Sequence, residues 1–155
     1  MSEISEAIQA KCLAFSDRVV KLNDYLLKEA ASKRYDGRGM KDDGKKHQPY
    51  NFKHQTCRIP VHLQSVAALA NQLLRSGTSI GANNAEACNA ISRQDFRSKS
   101  YIALKEARES LYWIDLLHRN GYLDEKQYSS IYTDCEELVK VLMHRCKKIN
   151  EGEQK

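Results

Sequence analysis

The sequence predicts an all-α fold, an antiparallel up-down four-helix bundle with a long basic loop between helices one and two, and three observations carry that prediction. Only two prolines and seven glycines interrupt 155 residues, while Leu, Ala, Lys, Glu, Arg and Gln dominate them, which is the vocabulary of helices. Apolar residues recur at helical spacing in the first and last segments. Two of the three connections are so short that the helices they join must fold back as antiparallel neighbours. A chain of this length buries roughly two-thirds of its unfolded surface, so one domain over 1–155 is the expectation.

Helix one, about 5–32, rests on Ile8, Cys12, Phe15, Val19, Leu22 and Leu26, a stripe that needs a partner. Helix two, about 61–90, begins after Pro60. Helix three, about 93–120, is closed by Gly121 in the position that favours a left-handed cap. Helix four, about 124–149, opens with Asp124 and Gln127 at capping-box spacing and continues through Tyr128, Ile131, Cys135, Leu138, Leu142 and Cys146.

The loop 33–58 holds eight basic and three acidic residues, a balance of 8 − 3 = +5 that equals the net charge of the whole protein. Its Gly37, Gly39, Gly44 and Pro49 predict a mobile segment. No apolar run approaches the roughly 18 residues that span a bilayer, and the chain opens acidic at Met1-Ser2-Glu3, so a cytoplasmic, membrane-free protein is expected. Of the five cysteines, four lie among apolar residues at helical positions and read as reduced core thiols.

Helix three carries more apolar residues than one seam needs. On a wheel of about 100° per residue, Phe96, Ala103, Ala107, Ser110, Ile114 and Leu117 form a core face. Ile102, Trp113 and Leu116 form a second one, with Tyr112 beside it. Either both neighbouring helices share this width, or it is an oligomer interface, for which Tyr and Trp are enriched. Arg93, Arg97, Lys105, Arg108 and Arg119 fall on the remaining arc with Tyr101 and Tyr112 among them. This suits a phosphate backbone, or else a solvated face of i,i+4 pairs. Arg34, Arg38, Lys45 and Lys46 in the loop extend the candidate nucleic-acid-binding set.

Residues 73–87, LLRSGTSIGANNAEA, followed by Asp95-Phe96, then ALKEARESLYWIDLL at 103–117 and Gly121-Tyr122-Leu123, resemble the four-helix-bundle family named for proteins encoded by intervening sequences of 23S ribosomal RNA. That family is similar in turn to the accessory variability determinant proteins of diversity-generating retroelements, which implies a homo-oligomer, a pentamer, with RNA or DNA and a reverse transcriptase as partners. The resemblance places Arg75, Ser76, Ser79, Asn83 and Glu86 in the motif of helix two and Lys105, Glu106 and Arg108 in that of helix three. Two departures stand out: Asn84, where an apolar residue is usual, and the basic loop. Independently, Gly77, Gly81 and Ala85 recur every four residues, a spacing that lets another backbone approach closely.

No catalytic constellation emerges. There is no nucleophile beside a histidine at a strand-to-helix turn and no glycine-rich phosphate loop after a strand, so a non-enzyme without a cofactor is expected. A bundle di-metal site needs a Glu-x-x-His pair on each of two helices, and only Asp115-x-x-His118, near a helix end, comes close. His54, Cys57 and His62, with His47, have ligand types that zinc accepts but irregular spacing, and no metal site is assigned. Two functions from different classes follow: an oligomeric accessory protein that binds nucleic acid through basic surfaces, or a scaffold that docks a protein partner such as a reverse transcriptase through its loop or oligomer rim.

Overall fold

The computed structural model describes residues 3–32 and 61–151. They form α1 (Glu3–Ser32), α2 (Val61–Cys88), α3 (Arg93–Arg119) and α4 (Glu125–Glu151). The expected loop 33–58, with Arg34, Arg38, Lys45, Lys46, His47, His54 and Cys57, lies outside the described residues, as does the side chain of His62.

Local chemistry sets the helix ends. Asp124 and Gln127 form the reciprocal capping box expected from their spacing: Gln127 N–H donates to Asp124 Oδ1 at 2.7 Å and Asp124 N–H to Gln127 Oε1 at 3.0 Å. Ser92 caps α3 by accepting from Asp95 N–H at 3.1 Å, while Asp95 accepts from Ile91 N–H at 3.2 Å. Gly121 takes φ +72°, so its N–H and that of Tyr122 turn back onto the carbonyls of His118 and Leu117. α2 stops two residues earlier than expected because Asn89 and Ala90 donate to carbonyls three residues back, a tightened final turn.

Contacts across each seam run in opposite sequence directions, which fixes the up-down-up-down order. Along α1 and α2, Gln9 reaches the Gly81 carbonyl and Ser16 the Gly77 carbonyl. On α2 and α3, Ser76 pairs with Ser110, and Glu86 with Lys99. Tyr101 meets Asn150 and Asp115 meets Tyr128 between α3 and α4. Lys11–Glu137 at 2.6 Å and Arg18–Asp134 close α4 onto α1. α1 therefore lies against α2 and α4, and four antiparallel neighbours surround one core.

That core is the predicted one in most places. Ile8, Cys12, Phe15, Val19 and Leu26 are buried from α1, and Ile131, Cys135, Leu138, Leu142 and Cys146 from α4. On α3, Ala103, Ala107, Ser110, Ile114 and Leu117 are buried, but Phe96 is only half-buried. Phe96 sits in the first turn of its helix, at the end of the bundle, where the core opens. The close approach written into α2 is real: a Cβ on Gly77 would lie 3.0 Å from Val19 Cγ2, and one on Gly81 3.5 Å from Cys12 Cβ.

Candidate nucleic-acid interface

The basic residues expected on α3 do not stand alone. Because α4 runs antiparallel to α3, its C-terminal turns come beside the N-terminal turns of α3. Between Lys140 and Lys148, α4 carries Lys140, His144, Arg145, Lys147 and Lys148 and no carboxylate, while Glu125, Asp134, Glu136 and Glu137 occupy its earlier turns. Glu125 in the first turn of α4 and Lys148 in the last also complement its dipole. Arg93, Arg97 and Lys99 occupy the facing end of α3. One end of the bundle is thus basic, in a chain whose charges nearly balance outside the 33–58 loop.

Of the predicted α3 set, Arg93, Lys105, Arg108 and Arg119 are exposed and Arg97 is half-buried, with its guanidinium 6.0 Å from the Tyr101 ring centroid. Arg93, Gln94, Arg97, Ser98 and Tyr101 line a second solvent-open pocket, of about 620 Å³. Arg108 reaches across to Met143 on α4, with Nη2 3.8 Å from the sulfur. Arg119 lies at the other end of α3, far along the helix from Arg93, so the strip spans the bundle's length and only its first turns join the basic end.

The residues read as an oligomer interface divide in two. Ile102, Trp113 and Leu116 are half-buried within the single chain, and Trp113 packs against the core while its indole N–H donates to Glu109 at 3.0 Å. Tyr112 is 58% exposed and meets Trp113 edge-to-face at 4.8 Å. A longer apolar surface lies on α1. Leu13, Val20 and Leu27, at 61%, 44% and 40% exposure, repeat every seven residues. Spacing alone does not single this repeat out, because Cys12, Val19 and Leu26 of the inward stripe, one residue earlier, have the same period.

The motif residues of α2 and α3 turn out largely to hold helices together. Ser76 is buried with its hydroxyl 2.9 Å from that of Ser110, and Ser110 also bonds the Glu106 carbonyl. Asn83 donates to the Ser79 carbonyl at 2.9 Å, and Glu86 pairs with Lys99. Partial burial, reinforced by Glu109, raises the Glu106 carboxyl above the usual range, with Arg75 pulling it back. Asn84 is fully buried: its Oδ1 accepts from Arg145 Nη1 at 2.6 Å and its amide donates to Gln9. This junction of α1, α2 and α4 was invisible in sequence, because it joins positions 61 and 75 residues apart.

Asp115 and His118 are both engaged by Tyr128. Asp115 accepts the phenol at 2.8 Å, which pushes the Tyr128 hydroxyl up to about 12, and His118 stacks on the ring at 4.1 Å. Among the described residues, no group of three or more His, Cys, Asp or Glu side chains converges to hold a metal. Among the same residues, no helix is long and apolar enough to cross a membrane.

The profile of the 23S rRNA-intervening sequence protein family matches residues 45–144. The chain belongs to that family. A crystal structure of a protein of unknown function from Bacteroides thetaiotaomicron, described as belonging to the S23 ribosomal protein family, is similar over 93% of this chain and 98% of its own. The two share 35% sequence identity and superpose with a TM-score of 0.67. No curated protein matches the sequence.

Proposed function

We propose that this member of the 23S rRNA-intervening sequence protein family is a non-catalytic, homo-oligomeric accessory protein that binds nucleic acid through the basic end of its bundle. The observation that carries the reading is the juxtaposition of Arg93 and Arg97 on α3 with the acid-free run from Lys140 to Lys148 on α4. Several lysines and arginines on adjacent helices, with Tyr101 among them, can neutralise neighbouring phosphates and release their counterions. Self-association is supported by the exposed apolar repeat on α1 and by Tyr112 on α3.

Fluorescence polarisation with labelled RNA and DNA at two salt concentrations tests the binding. Affinity is expected to fall steeply with salt, and Arg93→Glu combined with Lys147→Glu and Lys148→Glu to weaken it at least tenfold. The same variant should flatten the salt slope by about one for each phosphate it no longer neutralises. Absence of binding at low salt removes the reading. Light scattering tests assembly, and Leu13→Glu with Val20→Glu against Tyr112→Glu tells which helix carries it.

A second reading draws on the same α1 repeat: a scaffold that docks a protein, with a reverse transcriptase as the partner suggested by the retroelement accessory proteins. An intact salt-dependent nucleic-acid affinity in the Leu13→Glu, Val20→Glu variant, together with loss of a co-purifying reverse transcriptase, favours it.

A further inference from the structure

At the basic end the core opens into a cavity of about 570 Å³ between the first turns of α1 and α3 and the last turns of α4. Its apolar walls are Ile4, Ile8, Phe96, Val141 and Ile149. Around them stand Arg93, Lys140, His144, Arg145 and Lys148, and among the described residues no carboxylate lines it. The volume lies within the range of roughly 300–1,000 Å³ that small-molecule sites occupy, and an apolar interior with a few convergent polar groups is their usual composition.

Arg145 gives this cavity its direction. Its Nη1 is held by Asn84 at 2.6 Å, its guanidinium lies 5.8 Å from the Phe96 ring centroid, and its Nη2 is buried with no hydrogen-bond partner among the described residues. Nη2 is itself closed to solvent, so a ligand in the cavity would act on the guanidinium through its charge, which a negatively charged head beside it would offset. Among the rim cations, Lys140 has a carboxylate close by, Glu136 at 2.7 Å one turn away on α4.

We infer that this cavity is a binding site for a small amphiphilic anion, an alkyl or aryl body carrying a carboxylate, sulfonate or phosphate head. The body would occupy the walls formed by Ile4, Ile8, Val141 and Ile149. The head would meet Arg145, with Arg93 and Lys148 beside it. This inference does not depend on nucleic-acid binding, since a small molecule and a different readout test it.

The experiment uses the full chain and 8-anilinonaphthalene-1-sulfonate as a fluorescent probe, displaced in turn by decanoate, decanol and decyltrimethylammonium. Decanoate is expected to displace the probe at a concentration at least tenfold below decanol, with the cation weakest. Arg93→Glu with Lys148→Glu should weaken decanoate at least fivefold and leave decanol unchanged. Val141→Trp should remove probe binding while circular dichroism shows the bundle intact; the exposed charge pair carries the test if that variant unfolds. Equal displacement by all three heads, no probe fluorescence from the folded chain, or unchanged decanoate affinity in the charge variant overturns the inference. So does binding that appears only after removal of residues 152–155, which would place the chain's own tail in the cavity.

Discussion

Gly77 and Gly81 look equivalent in sequence, four residues apart on one helix face, yet the space opposite each differs. A methyl group at 77 would press on both Val19 γ-carbons, at 3.0 and 3.2 Å, and on Phe15 at 3.4 Å. Val19 and Phe15 are fully packed, so they have little room to yield. Gly77→Ala is expected to destabilise by about 1–3 kcal/mol in urea denaturation despite a helix-propensity gain of about 1 kcal/mol. Gly81→Ala meets Cys12 at an ordinary 3.5 Å, so there the propensity gain should prevail and the midpoint rise.

Burial acts on the thiols in the same local way. It pushes Cys12 from 9.0 up to about 11 and Cys135 from 9.0 up to about 12. In the unfolded chain these thiols ionise first, so the folded state holds more protons above pH 9. Their contribution to stability is whole below that pH and is lost as pH rises toward 11–12. Thermal melts should show the midpoint falling across this window, with a shallower fall in the Cys12→Ala, Cys135→Ala double variant. Native-state alkylation near pH 8 should leave both residues unmodified.

At the scale of elements, what is contiguous in the chain was legible and what is assembled across it was not. The Asp124–Gln127 box, the Gly121 cap and the inward stripes of α1 and α4 each depend on residues within a turn or two, where spacing alone decides the geometry. Phe96 was misplaced because a helical wheel knows which face a residue is on but not that its turn lies beyond the end of the core. The cationic turns of α4 were missed as part of the site because only the antiparallel return brings them beside Arg93. Asn84 registered as an oddity in sequence, and its partners Gln9 and Arg145 could not be named without the fold. Asn84→Leu should cost about 1–3 kcal/mol, since it takes a buried acceptor from the half-buried Arg145 guanidinium and a donor from Gln9. Adding Arg145→Met to it should recover most of that loss, as chemical denaturation of the single and double variants will show.

At the scale of the whole molecule, the bundle separates its surfaces by direction. Basic side chains gather at the end that holds the α1 N-terminus, and the exposed seven-residue repeat of Leu13, Val20 and Leu27 runs along the side. In the proposed homo-oligomer, copies joined through this side would leave the charged end uncovered. Replacing the repeat with glutamates should reduce the mass measured by light scattering and lower apparent nucleic-acid affinity through lost multivalency, with little change in the affinity of each subunit.

The Gln9–Asn84–Arg145 junction also bears on how the chain finds this arrangement rather than a near copy of it. Leucines, isoleucines and alanines in adjacent helical turns are nearly interchangeable, so sliding α4 by one turn, about 5.4 Å, would still bury oily surface against oily surface. What such a slide cannot reproduce is the meeting of one amide with one guanidinium, and the fully buried Asn84 amide would be left dry and unanswered. Three helices are thereby held to a common vernier mark, and misaligned bundles are sifted out by a single polar residue among hydrocarbon neighbours.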